Sequence, residues 1–176
     1  ATGPSSLDFR DATGAPLVTT FAATDDAHGS STSPTANYGG DSGLRAKTQT
    51  TSYKSFLKFV VSGISGPVQS AKLRLFVTDP SSSGGSITGV SNNLLGTSTP
   101  WTEYTLNWNN APAISGSPTA TVGAVSTGTW VEFVVTPLVT GNGTVSFGLS
   151  SAITDSVIYS SKEGTSQPQL VVTSTP

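Results

Sequence analysis

Phe56-Leu57-Lys58-Phe59-Val60-Val61 and, nine residues further on, Ala71-Lys72-Leu73-Arg74-Leu75-Phe76-Val77 are the stretches that decide the fold. In the first, Leu57, Phe59 and Val61 share one face, while Phe56, Lys58 and Val60 share the other. In the second, Leu73, Leu75 and Val77 alternate with Lys72, Arg74 and Phe76. Side chains point to opposite faces of a strand with period 2, so each stretch reads as a strand with one face in a core. The link Ser62 to Ser70 lets the two strands pair antiparallel. That pairing would gather Lys58, Lys72 and Arg74, with Lys54 one alternation away, in a basic stripe on one outer face. The same period recurs at Thr129 to Val135 and Thr144 to Leu149. Further strands are expected at Leu17 to Phe21, Leu44 to Thr48, Ser86 to Ser91, Thr121 to Ser126, Ser156 to Ser160 and Gln169 to Thr173. No helical stripe exceeds one turn, and Pro137 to Thr140 is the one place for such a turn. About ten short strands without helices predict an all-β fold, an antiparallel two-sheet β-sandwich of jelly-roll type. The long connection Asn92 to Pro118 holds Trp101 and Trp108 and reads as an ordered loop pinned by them.

With 176 residues the chain has the size of one domain and can bury a core unaided. Eight Lys and Arg against ten Asp and Glu give a formal charge of -2. A nucleic-acid binder should show a basic excess, so that class is disfavoured. Charged residues make up only 10% of the chain, and Ser and Thr (28 and 27) supply most of the polar surface. Such a composition suits secreted or wall-exposed proteins. The absence of Cys excludes disulfides and thiolate metal sites. With no Met present, Ala1 reads as a processed end, such as removal of an export signal leaves. No run approaches the ~18 to 20 apolar residues of a membrane span. The expected location is extracellular, secreted or on the cell surface.

From Phe21 onward the chain resembles the DNRLRE-domain family, which includes carbohydrate-binding module family 96. The resemblance is carried by Ser33-Pro34-Thr35-Ala36-Asn37-Tyr38-Gly39, Leu44-Arg45, Phe56-Leu57-Lys58-Phe59 and Ser70-Ala71-Lys72-Leu73-Arg74-Leu75. It continues through Trp101-Thr102-Glu103, Leu106-Asn107-Trp108-Asn109-Asn110-Ala111-Pro112, Trp130-Val131-Glu132-Phe133, Ser160-Ser161-Lys162-Glu163 and Pro168-Gln169-Leu170-Val171-Val172. It implies a jelly-roll sandwich on an extracellular microbial protein. Family members are non-catalytic attachments to polysaccharide-active enzymes and surface proteins, and some bind acidic polysaccharides such as alginate. Val60 and Val134 stand where the family usually has Asp, which suggests an apolar contact surface. Asp26-Ala27-His28-Gly29 stands where the family often has Asp-Ala and an aromatic residue.

Two functions follow as expectations. The first is a structural subunit that polymerises with copies of itself into a surface or matrix filament. Residues 1 to 15 form a one-sided arm ahead of a sandwich spanning 16 to 176, with Leu7 and Phe9 alternating with polar neighbours. An arm of this kind can add as a strand to a neighbour. Its interface would comprise Leu7, Phe9, Phe56, Val60, Phe76 and Val134. The alternative is a carbohydrate-binding module for an acidic polysaccharide. Its contacts would come from Tyr38, Arg45, Lys47, Tyr159 and Lys162 at one end and from Lys58, Lys72 and Arg74 on the stripe. At that end the plainer reading pairs Arg45 with Glu163 and leaves the tyrosine hydroxyls wet.

Calcium takes six to eight oxygens, and Asp25, Asp26 and Asp155, with Asp41, are the acidic loop residues that could supply them; turn formation is the plainer role for each. Enzymatic chemistry finds little to use. His28 is the single histidine, and no Gly-x-Ser-x-Gly elbow is present. Glu103, Glu132 and Glu163, the three glutamates, each fall within a stretch that matches the family. A non-catalytic protein is expected. Asn142-Gly143-Thr144 is a lone glycosylation acceptor sequence, or simply a tight turn.

Overall fold

The computed structural model describes residues 14–176. It is an antiparallel two-sheet sandwich of eleven strands: β1 (Leu17–Ala22), β2 (Asp25–Ser30), β3 (Gly43–Ala46), β4 (Tyr53–Val61), β5 (Val68–Asp79), β6 (Gly85–Val90), β7 (Ala120–Val122), β8 (Trp130–Val134), β9 (Gly143–Ser150), β10 (Val157–Ser160) and β11 (Gln169–Ser174). One sheet runs β1-β11-β5-β10-β3, with β8 also paired to β5; the other runs β2-β4-β9-β6-β7. A single 3₁₀ turn, Thr136–Leu138, follows β8, slightly ahead of the place the sequence suggests.

β4 and β5 do not pair; they belong to different sheets. Their apolar faces meet across the interior, where Leu57, Phe59 and Val61 join Leu73, Leu75, Val77 and Phe133 in one core. An apolar stripe looks the same in sequence whether its partner lies beside it or opposite it, and here it lies opposite. The link crosses from sheet to sheet. Asn142 pins it, accepting from the Ile64 amide and donating to the Ile64 carbonyl, both at 2.9 Å. The Asn142 amide is thus committed to the fold, in keeping with the turn reading of Asn142-Gly143-Thr144. The basic stripe does not form, because Lys58 stands on one sheet and Lys72 and Arg74 on the other.

The connection after β6 changes a second expectation. It folds over the outer face of β4, where Trp101, Leu106 and Ala111 enclose Phe56 and Ala27 in a second apolar cluster. Trp101 is fully buried, and its indole N–H donates to the Ser91 carbonyl at 3.2 Å. Asn107 and Asn110 brace the loop by accepting from the amides of Asn109, Asn110 and Asn107. Gly148 lets the loop close on β9, since a Cβ there would stand 2.6 Å from Ile114 Cγ1. Phe56 and Lys58 therefore face the loop rather than solvent, and neither is available as an interface or ligand residue. Val60 and Val134 are exposed, as alternation requires; Phe76 is half-buried with its ring edge-on to Trp130 at 5.4 Å. Leu7 and Phe9 lie outside the described residues.

β2 is the strand the period-2 reading missed. Its inward residues are Asp26, His28 and Ser30, all buried; its outward Ala27 and Gly29 lie under the loop. A strand with polar residues inside carries no apolar stripe. It places a carboxylate and an imidazole at the margin of the sandwich, facing β3 and the turns at 38–43 and 160–164.

Candidate functional site

Two groups of side chains assemble at the β2 and β3 margin. The first is aromatic and cationic. His28 stacks on Tyr38 with ring centroids 4.5 Å apart, and it meets the Tyr53 ring edge-on at 5.8 Å. The His28 Nδ1 lies 3.1 Å from the Gly43 carbonyl and Nε2 lies 3.9 Å from an Asp41 carboxylate oxygen. Burial pushes the imidazole pKa down, and Asp41 offsets part of that shift. The other neighbours of Tyr53 are cations: the Lys47 ammonium lies 5.4 Å and the Arg45 guanidinium 5.8 Å from the ring centroid. β3 presents Arg45 outward, and Lys47 just past its end, because Leu44 and Ala46 take the core. On the opposite face of β4, the Lys54 ammonium sits 4.7 Å over Trp108. Among the described residues, none of these three cations pairs with a carboxylate. An open cleft of about 450 Å³ adjoins Arg45, lined by Asp41, Ser42, Thr78, Ile158 and Glu163.

The second group is acidic. Asp26, Glu103 and Glu163 each place a carboxylate oxygen within 4.8 Å of the other two. Oδ2 of Asp26 accepts the Lys162 amide at 2.7 Å, while its Oδ1 is buried with no donor. The Lys162 ammonium bridges Glu103 and Glu163 at 3.0 and 3.1 Å. Burial, reinforced by the charges of Glu163 and Glu103 and opposed by the Lys162 amide, raises the Asp26 pKa to about 7. The turn carrying Glu103 packs so closely that a Cβ on Gly39 would collide with the Glu103 carbonyl. Asn37 secures the same carbonyl by donating to it.

The model of carbohydrate-binding module family 96 matches residues 18–174, nearly all of the described chain. The chain belongs to that family. No curated protein matches it as a relative.

Within this family 96 module the residues singled out from sequence separate clearly. Arg45 and Lys47 come together with Tyr53, which sequence reasoning did not select; a lone tyrosine at the first position of a strand gives no signal. Arg45 does not pair with Glu163, whose partner is Lys162. Tyr38 is half-buried against His28. Tyr159 lies elsewhere: it is fully buried, and its hydroxyl donates to the Gly84 carbonyl at 2.7 Å, so it is neither wet nor able to stack on a sugar. Lys162 is held by the carboxylates. Lys58 is buried, donates to the Trp101 carbonyl and lies 4.2 Å over the Trp101 ring; burial lowers its pKa, and Asp25 opposes that shift. Lys72 and Arg74 do face outward, but both meet Glu132, at 2.7 and 3.4 Å, and Arg74 also stacks 4.9 Å over Trp130. The acidic residues regroup too. Asp26 joins Glu103 and Glu163, Asp25 accepts the Glu103 amide at 3.2 Å, and Asp155 is outside the group. The glutamates could not be found by spacing, because they arrive from distant turns. No described helix is long and apolar enough to cross a membrane.

Proposed function

We propose that this module acts outside the cell as a non-catalytic binder of acidic polysaccharide, contacting it at the β3 and β4 margin through Arg45, Lys47 and Lys54. The observation that carries this reading is the pairing of each of these cations with an aromatic ring, free of any carboxylate among the described residues. Uronate or sulfate groups supply the missing countercharge, and the half-buried faces of Tyr53 and Trp108 offer surface for sugar rings. Partly exposed charges draw such a polymer over roughly a Debye length, so binding weakens with salt. Lys72 and Arg74 contribute less, since both already pair with Glu132.

Strand donation is the competing reading, and its arm falls almost wholly outside the described residues. Family membership favours the binding module. Affinity electrophoresis in polyuronate gels and in neutral glucan gels tests the proposal. Retardation should occur in the polyuronate and fade with added salt. Arg45→Ala and Lys47→Ala should each weaken binding about two- to fivefold, the range expected of single surface ion pairs; Lys72→Ala should change it little. Unchanged affinity in the Arg45→Ala/Lys47→Ala double variant would refute this assignment of the site.

A further inference from the structure

The acidic group at β2 is out of balance. Three carboxyl groups face one ammonium, in a place where Asp26 is 1% and Glu103 5% exposed while Glu163 reaches solvent. The uncompensated atom is identifiable: Oδ1 of Asp26 is buried and meets no donor. A buried carboxylate oxygen without a partner is costly, and a fold that retains one needs something to satisfy it.

We propose that Asp26, Glu103 and Glu163 form a binding site for a divalent cation of the calcium class. Calcium–oxygen bonds measure about 2.3–2.6 Å, so one ion can join oxygens up to about 4.8 Å apart. The three carboxylates fall within that span. The donors are all hard oxygens, the ligand type that calcium takes. Zinc sites draw chiefly on histidine and thiolate ligands, whereas the nearby His28 is engaged with Gly43. Ser161 Oγ, 3.2 Å from Glu163 Oε2, is an adjacent neutral oxygen, and water completes the six to eight positions.

Lys162 is the ion's competitor. Its side chain is 27% exposed and bridges Glu103 and Glu163. Its backbone N–H holds Asp26 independently, so the ammonium can withdraw without disturbing the turn. The ion would tie β2, the turn at Glu103 and the turn at Glu163 into one unit. This site does not depend on the saccharide reading.

The test is calorimetric titration and thermal melting of the full chain, stripped with a chelator and then supplied with calcium chloride alone. Calcium at a hundredfold excess over its dissociation constant should raise the Tm by roughly 5 °C or more, and chelator should reverse the gain. Asp26→Asn and Glu103→Gln should each abolish the response. Lys162→Gln, which removes the competing charge, should bind calcium several-fold more tightly than the parent. Asp155→Asn should respond like the parent. Absence of both heat and Tm shift in the parent chain would overturn the proposal. So would a response that survives in Asp26→Asn and Glu103→Gln, or a Lys162→Gln variant that binds more weakly.

Discussion

Tyr159 and Asp26 show how little of a residue's role is written in its type. Tyrosine invites a reading as a sugar platform, but alternation in β10 sends Tyr159 inward with Val157, and its ring packs edge-on to Phe133 at 6.3 Å. Its hydroxyl is the only polar part, and Gly84 takes it. Tyr159→Phe should therefore cost about 1–3 kcal/mol in urea unfolding, because the Gly84 carbonyl loses a buried donor, while leaving polysaccharide affinity unchanged. Loss of affinity without loss of stability would restore Tyr159 to the ligand surface. Asp26 is the converse case. An aspartate beside a second aspartate and shortly before Gly29 and Ser30 reads as a turn former, yet it is a buried strand residue. Its neighbours Glu103 and Glu163 come from turns 77 and 137 residues away in sequence, a proximity only the fold creates.

At the scale of elements, the strands with one apolar face were legible and the others were not. β4, β5, β8 and β9 announce themselves by alternation, because one side of each meets the core. β2 stays silent because its buried side is polar. The long connection reads correctly as an ordered loop, since two tryptophans in a polar stretch must be buried somewhere. Its destination could not be read: the outer face of β4 offers Phe56, Lys58 and Val60, a pattern equally consistent with solvent, a partner or a covering loop. The loop covers the first two and leaves Val60 exposed. Trp101 anchors this cover. Trp101→Ala should lower the unfolding free energy by about 3–5 kcal/mol, the range for removing a buried aromatic residue. It should also speed hydrogen exchange within the 91–118 loop and in β4. A variant with parental stability would mean that the Asn107 and Asn110 bracing holds the loop unaided.

For the whole molecule, the sandwich class was legible and the pairing of its strands was not, because facing and neighbouring partners leave the same stripe. The two sheets end with unlike outer surfaces. One is roofed along β4 by its loop; the other lies open, with Lys72, Arg74 and Glu132 paired across β5 and β8. Each of the three tryptophans, wherever it sits, carries a cation over its ring: Lys58 on Trp101, Lys54 on Trp108 and Arg74 on Trp130. This gives the protein an optical polarity. A negative collisional quencher such as iodide is drawn to the half-buried Trp108 and Trp130, whereas caesium is repelled from them, so iodide should dim the emission far more than caesium does. Trp101, sealed beneath its loop, should escape both and emit as a residual unquenched fraction that disappears in Trp101→Phe. The cations set over these rings thus give each tryptophan a distinct fluorescence address, through which a polyanion docking at Lys54 would be visible as a change in Trp108 light alone.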